Sequence, residues 1–281
     1  MMNCHRKHRF GKLIWYDLNY GYRDCRLKWL GAFLVQIYFA NMAYQWCSGA
    51  RGNVGVLGYL TWLFRGMPEY YAAETGRFEL PVPWLMLHGC LLLLAGFYPA
   101  SDLTRSGGQI LVRTGKRIYW LFGKAVWVFG TVIAYYCMLT AVLVLCALLT
   151  GGIACSGEAM KFLYGVDMDG MGGVEIFLSW WVEPLLVSMA LCLTEMVLSL
   201  VLGPVLALFL MLGYLTASVF WTSPLLLGNY AMLLRQDFLS GHESLSFFNC
   251  LTGCIGCIVV ILAVGCGYMK KKDVFPSNLT T

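Results

Sequence analysis

Long apolar stretches with almost no charge constrain the fold of this chain more than any other feature. Six of them cover residues 29–47, 83–97, 125–149, 184–202, 205–220 and 247–268. A helix needs about 20 apolar residues to cross the roughly 30 Å hydrocarbon core of a bilayer. The runs are continuous, whereas the strands of a membrane barrel alternate polar and apolar residues. The sequence therefore predicts an all-α integral membrane protein with a single six-span transmembrane domain in residues 29–281.

Composition agrees with a membrane protein and leaves no room for a separate catalytic domain. Only 12% of the residues are charged and 59% are hydrophobic, whereas soluble domains average about 25% charged residues. The first apolar run begins near Trp29, too far along the chain for the apolar region of a cleavable signal peptide, so we expect no such peptide. The net charge of +5 comes with no nucleic-acid-binding motif, and we expect no nucleic-acid partner.

Residues 1–28 are predicted to form a cytoplasmic amphipathic helix at the membrane interface. Four apolar side chains recur at helical spacing, namely Phe10, Leu13, Ile14 and Leu18. Asp17 and most of the basic residues fall largely off that face, which is the pattern of an interfacial helix. A disordered basic tail is the alternative, and the density of aromatic residues in this segment disfavours it.

Basic residues are distributed unevenly between the loops. The N-terminal segment, the loop after the second span and the C-terminus carry 15 of the 20 basic residues and four of the 15 acidic residues. The other loops carry five basic and ten acidic residues, and the remaining acid, Glu195, lies within the fourth span. Basic loops stay in the cytoplasm. We therefore expect a multi-pass protein of the cell membrane with both termini in the cytoplasm.

The loop after the second span is the longest basic interruption between the apolar runs. This basic loop runs from Tyr98 to Trp127 and contains one acid, Asp102. Its five basic residues are Arg105, Arg113, Lys116, Arg117 and Lys124. Lys124 lies at the start of an apolar run, and we expect its ammonium to extend to the membrane boundary, as long basic side chains do.

Two further features concern the ends of the spans. Residues 223–234 (SPLLLGNYAMLL) are apolar but too short to cross a bilayer, which predicts a re-entrant or interfacial helix before the last span. Seven tryptophans lie near span ends and are interpreted as anchors in the membrane interface. They are Trp29, Trp84, Trp120, Trp127, Trp180, Trp181 and Trp221.

No known catalytic motif is present, and we expect no catalytic residues and no metal site. Residues 110–117 do not form a nucleotide-binding loop, and no zinc-protease or serine-hydrolase motif occurs. Cys250, Cys254 and Cys257 are clustered, but no histidine or acid follows nearby to complete a metal site. Cys47 and Cys155 flank segments that we expect outside the cell, which makes them the only plausible disulfide pair.

Two polar residues lie inside predicted spans. Glu195 is in the fourth span and His88 is in the second, and a charged side chain at bilayer depth costs roughly 2.5–3.5 kcal/mol. Both are candidates for lining a substrate cavity or carrying a proton. The alternative, which we favour, is a packing role, with Glu195 protonated or bonded to a side chain such as Tyr135 or Thr140.

The order of these parts resembles the type-2 permease family of bacterial ATP-binding-cassette exporters. The segment SDLTRSGGQILVRTGKRIYWLFGKAVW is similar to the family's basic, helical loop, which leads into the third span through a W-L-x-x-K step. In this chain the step is Trp120 to Lys124, and the ending KKKDVF is similar to the usual ending of these subunits.

The resemblance implies a transport subunit without ATPase activity of its own. The family's coupling helix would correspond to residues Ser101 to Arg117 and would bind a separate nucleotide-binding protein. The coupling residues would be Asp102, Arg105, Arg113, Lys116 and Arg117. This chain would bind no cofactor, and ATP and Mg would be held by the partner. A second permease subunit, identical or paralogous, would complete the transporter.

The implied substrate is hydrophobic or amphipathic, such as a peptide, an antibiotic or a lipid-like molecule, and immunity to an antibiotic peptide is one expected use. Two other classes remain open. One is an integral-membrane enzyme or maturation factor that uses Glu195 and His88, and the other is a membrane sensor that transports nothing.

Overall fold

The computed structural model describes residues 2–49, 52–67, 80–103, 117–166, 168, 171–236 and 245–271. In these residues the chain is all-α, as predicted, with nine helices. They are α1 (Met2–Asp24), α2 (Arg26–Cys47), α3 (Gly55–Phe64), α4 (Val82–Asp102), α5 (Arg117–Thr150), α6 (Gly157–Tyr164), α7 (Gly173–Leu202), α8 (Pro204–Phe220) and α9 (Phe247–Lys271).

Four of these helices are long and apolar enough to cross a membrane, namely α4, α5, α7 and α9. The chain is therefore a multi-pass membrane protein. Helix α5 has 34 residues, which is about 50 Å at 1.5 Å per residue, so it is longer than a bilayer core is thick. It begins at Arg117, inside the basic loop, and the second predicted span likewise continues as helix to Asp102.

The predicted total of six spans is not shown by the structure. The first and fifth predicted spans do form helices, α2 and α8, but neither meets the length and hydropathy of a candidate span. Helix α8 has 17 residues, about 26 Å, which is shorter than a 30 Å core. Helix α2 has 22 residues but carries Gln36, Asn41 and Gln45 along its apolar part, so its mean hydropathy is low.

Helix α7 is at the centre of the bundle. It packs against α4, α5, α8 and α9, and 61% of its most apolar window is buried, compared with 11% for α9. The turn between α7 and α8 is a single residue, Gly203, whose φ of 89° is accessible to glycine at little cost. The predicted tight connection between these two helices is therefore confirmed.

The tryptophans are mostly core residues and not interfacial anchors, which corrects the prediction. Four of the seven are fully buried, namely Trp84, Trp120, Trp127 and Trp180. Trp180 lies in a π-helical turn at the start of α7, and its indole nitrogen donates to Thr61 Oγ1 at 2.7 Å. Their position near the span ends is correct, but the neighbouring helices cover them.

The segment before α9 is irregular and does not form the predicted helix. Two short 3₁₀ turns cover Leu227–Ala231 and Leu233–Arg235. The buried guanidinium of Arg235 donates to the carbonyl oxygens of Ser218 and Val219 in the last turn of α8. These carbonyls have no partner within the helix, so Arg235 binds the end of α8 and holds the segment against the bundle.

The structure confirms the predicted N-terminal helix, α1, but the buried face of this helix differs from the predicted one. It packs along α5, and its buried positions include Asp17 and Gly21, whereas Trp15 is 72% exposed. Gly21 lies directly against the indole of Trp127, and a Cβ at this position would overlap the ring. Asp17, predicted to fall off the buried face, is therefore at its centre.

Candidate functional site

The most unusual polar feature of the bundle is a buried ion cluster where the basic loop leaves α4 and enters α5. We call it the Lys124 cluster, and it consists of Asp17, Tyr98, Asp102, Trp120 and Lys124. The five side chains come from α1, α4 and α5, and all of them are buried. Lys124 therefore does not extend to the membrane boundary as predicted, because carboxyl partners inside the protein satisfy its charge.

The ammonium of Lys124 holds the cluster together. It lies 2.6 Å from Asp17 Oδ1 and 2.7 Å from Asp102 Oδ2. It also donates to the Tyr98 hydroxyl at 3.1 Å, and that hydroxyl donates to Asp17 Oδ1 at 3.3 Å. Trp120 Nε1 donates to Asp102 Oδ2 at 3.3 Å. One cation thus joins an N-terminal carboxylate to the last residue of α4.

Aromatic rings enclose this cation. Lys124 Nζ lies 4.2 Å from the centroid of the Tyr98 ring and 5.4 Å from that of Trp120. The ring of Trp127 packs against Tyr98 at 4.5 Å between centroids. A cation over a desolvated aromatic face gains up to about 2 kcal/mol. The rings also exclude water, which strengthens the electrostatic attraction inside the cluster.

Two opposing effects act on the carboxyl of Asp17. Burial raises the pKa of Asp17 above its ordinary value, and the nearby Lys124 ammonium opposes this shift by lowering it. Asp17 Oδ2 accepts no hydrogen bond from the described residues. A buried ion pair gives little net stability, but losing one partner is costly. The cluster therefore fixes the positions of the three helices more than it stabilises the fold.

The structure places only two of the predicted coupling residues. Asp102 is buried in the Lys124 cluster, and Arg117 begins α5, where its Nη1 lies 3.4 Å from the carbonyl of Met269 near the end of α9. Arg105, Arg113 and Lys116 lie outside the described residues. The predicted coupling helix, Ser101 to Arg117, is described only at its two ends, which continue α4 and begin α5.

Glu195 is the second buried acid of interest. Its side chain is fully buried, and neither carboxyl oxygen has a hydrogen-bond partner among the described residues, so the predicted bonds to Tyr135 or Thr140 do not form. Its carboxyl lies against the backbone of Gly96 in α4, where a Cβ would overlap it. Glu195 is seven residues from the end of α7, about 10 Å. It therefore lies in the half of α7 nearer Leu202.

His88 lies elsewhere in the bundle. Its Nδ1 is 2.8 Å from the carbonyl oxygen of Trp84, one turn earlier in α4, and its ring packs against Trp84 and Phe64. Gly96, which contacts Glu195, follows His88 by eight residues, about 12 Å along the helix axis. The structure therefore does not bring Glu195 and His88 into one site.

The described residues contain neither of the two cysteine sites considered from the sequence, a disulfide and a metal site. Cys47 and Cys155 are both free thiols, and Cys47 Sγ lies 3.5 Å from the hydroxyl of Tyr164. The suggested disulfide is therefore absent from the structure. Across the described ranges, no group of three histidine, cysteine or acidic side chains converges as a metal site would require.

Sequence reasoning missed the Lys124 cluster because each member had a simpler interpretation alone. Lys124 begins an apolar run, and Asp17 lies in a basic helix, so both patterns are typical of the membrane interface. A lysine with aromatic and apolar side chains on both sides, from Ile118 to Phe122 and from Ala125 to Phe129, is the signal that was available. Long basic side chains usually escape from such positions, and one that cannot escape needs a carboxylate partner.

One family model matches most of the chain. Its description is "Protein of unknown function (DUF2705)", and the match covers residues 29–275, which includes every helix except α1 and the start of α2. No curated protein and no solved structure matches the chain. With its four candidate spans, the chain is a multi-pass membrane protein that belongs to the DUF2705 family.

Proposed function

We propose that this chain is the membrane-spanning subunit of an ATP-binding-cassette exporter. It would move a hydrophobic or amphipathic substrate by alternating access, while a separate partner chain binds ATP and Mg and hydrolyses the nucleotide. In this proposal six helices cross the bilayer, namely the four candidate spans together with α2 and α8. A second permease subunit, identical or paralogous, would face this one in the membrane.

Two features support counting α2 and α8 as spans. Helix α2 packs on both α4 and α5, so it lies against two candidate spans. Helix α8 follows α7 after Gly203 alone and packs against α4 and α7, so it lies beside two candidate spans as well. A helix a few residues shorter than the bilayer core is accommodated at modest cost by local thinning.

The observation that carries the proposal is the Lys124 cluster at the base of the basic loop. The 14 residues 103–116 connect the end of α4 to the start of α5. Lys124 and Asp102 join those two helices at the same point, and Asp17 adds α1. A force applied to the loop by a partner would therefore move three helices together. Rigid-body motion of this kind is how transporters and other switching proteins transmit a signal.

The same argument gives α1 a role. An interfacial helix tied to two spans by a buried ion cluster cannot slide independently of them, because exposing an unpaired charge at this depth is costly. In the proposal, α1 holds the loop-side ends of α4 and α5 in place through Asp17. Substrate contact by Glu195 or His88 stays a prediction.

The side of the membrane that the loop faces tests the proposal. We expect an epitope inserted between Gly107 and Gly108 to bind antibody in inside-out membrane vesicles and not in intact cells, since the ATPase must reach the loop from the cytoplasm. The matched control is the same epitope between Gly241 and His242, in the polar segment before α9. It should show the opposite pattern. If antibody reaches the Gly107 epitope in intact cells, no cytoplasmic ATPase can act on this loop and the proposal fails.

A further inference from the structure

A polar cavity of about 330 Å³ lies at the end of the bundle opposite the Lys124 cluster. Its walls come from the end of α2, the start of α3 and the end of α5, and they include Tyr44, Ser48, Asn53, Tyr59 and Thr150. The volume is at the lower end of the roughly 300–1,000 Å³ typical of small-molecule sites. No step of the proposed transport cycle uses this cavity.

The two loops that form its rim are bonded to each other. Ser156 N donates to the carbonyl oxygen of Asn53 at 2.8 Å, and Val56 N donates to that of Ile153 at 3.2 Å. Gly52, beside them, has a φ of 102° and lies against Ser156, so a larger residue would not fit there. Hydrogen bonds between the two loops therefore fix the walls of the cavity.

Three of the lining residues, Ser48, Tyr59 and Thr150, already use their hydroxyl hydrogens within the protein. Ser48 Oγ donates to the carbonyl of Gln45 at 2.7 Å, and Thr150 Oγ1 donates to that of Cys146 at 2.8 Å. The Tyr59 hydroxyl lies 2.8 Å from Thr150 Oγ1. Since the Thr150 hydrogen is already given to a carbonyl, Tyr59 must donate to Thr150 in this contact.

What these residues and Asn53 offer a ligand is a set of uncharged acceptors. Asn53 Nδ2 donates to the carbonyl of Gly151 at 3.1 Å, and its Oδ1 accepts no bond from the part of the chain that the structure describes. The hydroxyl oxygens of Ser48 and Tyr59 likewise keep free lone pairs. A fitting ligand must therefore bring several hydrogen-bond donors.

Two classes of ligand are rich in hydrogen-bond donors, namely amines and polyhydroxylated molecules. Their charge distinguishes them, because an amine is a cation and a polyhydroxylated molecule is neutral. An ammonium group needs a counter-charge when it leaves water, and none of the described side chains lining the cavity is charged. A group with several hydroxyls satisfies the acceptors without adding charge.

From this geometry we infer that the cavity binds an uncharged, polyhydroxylated ligand, that is, a sugar. The sugar is either free in solution or the headgroup of a glycolipid. The cavity lies where α2 ends, beside the partly exposed rings of Tyr44 and Trp46. Aromatic residues at helix ends occupy the headgroup level of a membrane, so a glycolipid headgroup could reach the cavity without leaving the bilayer.

Binding in lipid nanodiscs tests this inference. The full chain in phosphatidylcholine nanodiscs would be titrated with monoglucosyl diacylglycerol and with diacylglycerol lacking the sugar, and bound lipid would be counted by native mass spectrometry. We expect at least tenfold preference for the glucolipid. Methyl glucoside in solution should displace the glucolipid if a free sugar suffices, and should fail to do so if the lipid tail is required.

Two variants connect the binding to this cavity. Tyr59→Phe should weaken glucolipid binding roughly two- to tenfold, the effect of losing one hydrogen bond. The matched control, Tyr38→Phe, removes a hydroxyl from a 58% exposed ring on α2 and should change nothing. Asn53→Asp adds a counter-charge and should shift the preference toward an alkylamine.

Three results would each overturn the inference. The first is equal binding of the glucolipid and the plain diacylglycerol, and the second is stronger binding of an alkylamine by the unchanged protein. The third is a Tyr59→Phe protein that is folded and binds as the Tyr38→Phe protein does.

Discussion

Replacing Lys124 with methionine should destabilise the folded protein by about 3–5 kcal/mol. The variant leaves Asp17 and Asp102 buried without the ammonium that lies 2.6 and 2.7 Å from them. Methionine fills a similar volume, so the loss comes from charge and not from a cavity. The thermal unfolding temperature of the purified protein in detergent, together with its yield from membranes, measures the effect.

Lys270→Met is the control, because Lys270 lies in the last turn of α9 with an exposed side chain. It should unfold within about a degree or two of the unchanged protein, as substitutions at exposed positions usually do. Adding Asp17→Asn and Asp102→Asn to Lys124→Met should recover part of the loss, because no uncompensated charge remains. A Lys124→Met protein as stable as Lys270→Met would show that the Lys124 cluster does not hold α1, α4 and α5 together.

The second large effect is expected at Gly96, where α4 and α7 meet. Alanine there should destabilise the protein by roughly 1–3 kcal/mol, the usual cost of overpacking a core. The new Cβ would overlap the Glu195 carboxyl, which is fully buried. In most helices the same change is stabilising by up to about 1 kcal/mol, so the sign of the effect is itself informative.

Gly89→Ala on the same helix is the matched control. Its Cβ would lie 3.4 Å from Leu212 Cδ2, an ordinary contact, and stability should stay the same or rise. Glu195→Ala combined with Gly96→Ala should regain most of what Gly96→Ala loses, since the smaller residue makes room. Unfolding temperatures of the three variants decide the matter, and a double variant no more stable than Gly96→Ala would mean that Glu195 does not pack against Gly96.

The helical architecture followed well from apolar patterning. Each of the six apolar runs became part of a helix, and the one-residue connection at Gly203 was visible because Gly-Pro divides two uninterrupted runs. Helix ends were less well predicted, since α4 and α5 both extend into the basic loop. A polar residue ends an apolar run but need not end a helix when a partner inside the protein satisfies it.

The side-chain partners could not be read from the sequence. The pattern of α1 indicates an amphipathic helix, but which side meets α5 depends on the fit between Gly21 and Trp127 across 106 residues of chain. The same holds for Lys124, whose position near a span end suggests the interface until Asp17 is found beside it. Periodicity gives the faces of a helix, whereas packing between distant segments selects the buried one.

The central claim is that this chain performs mechanical work with energy from a nucleotide site on another protein. The most direct test is vanadate-sensitive ATP hydrolysis by the complex purified from native membranes through a tag on this chain. The account predicts hydrolysis in the complex and none in the chain freed of its partner. It also predicts that Arg113→Glu lowers the hydrolysis recovered with the complex. Turnover of any substrate by the chain alone, with no ATPase present, would contradict the account.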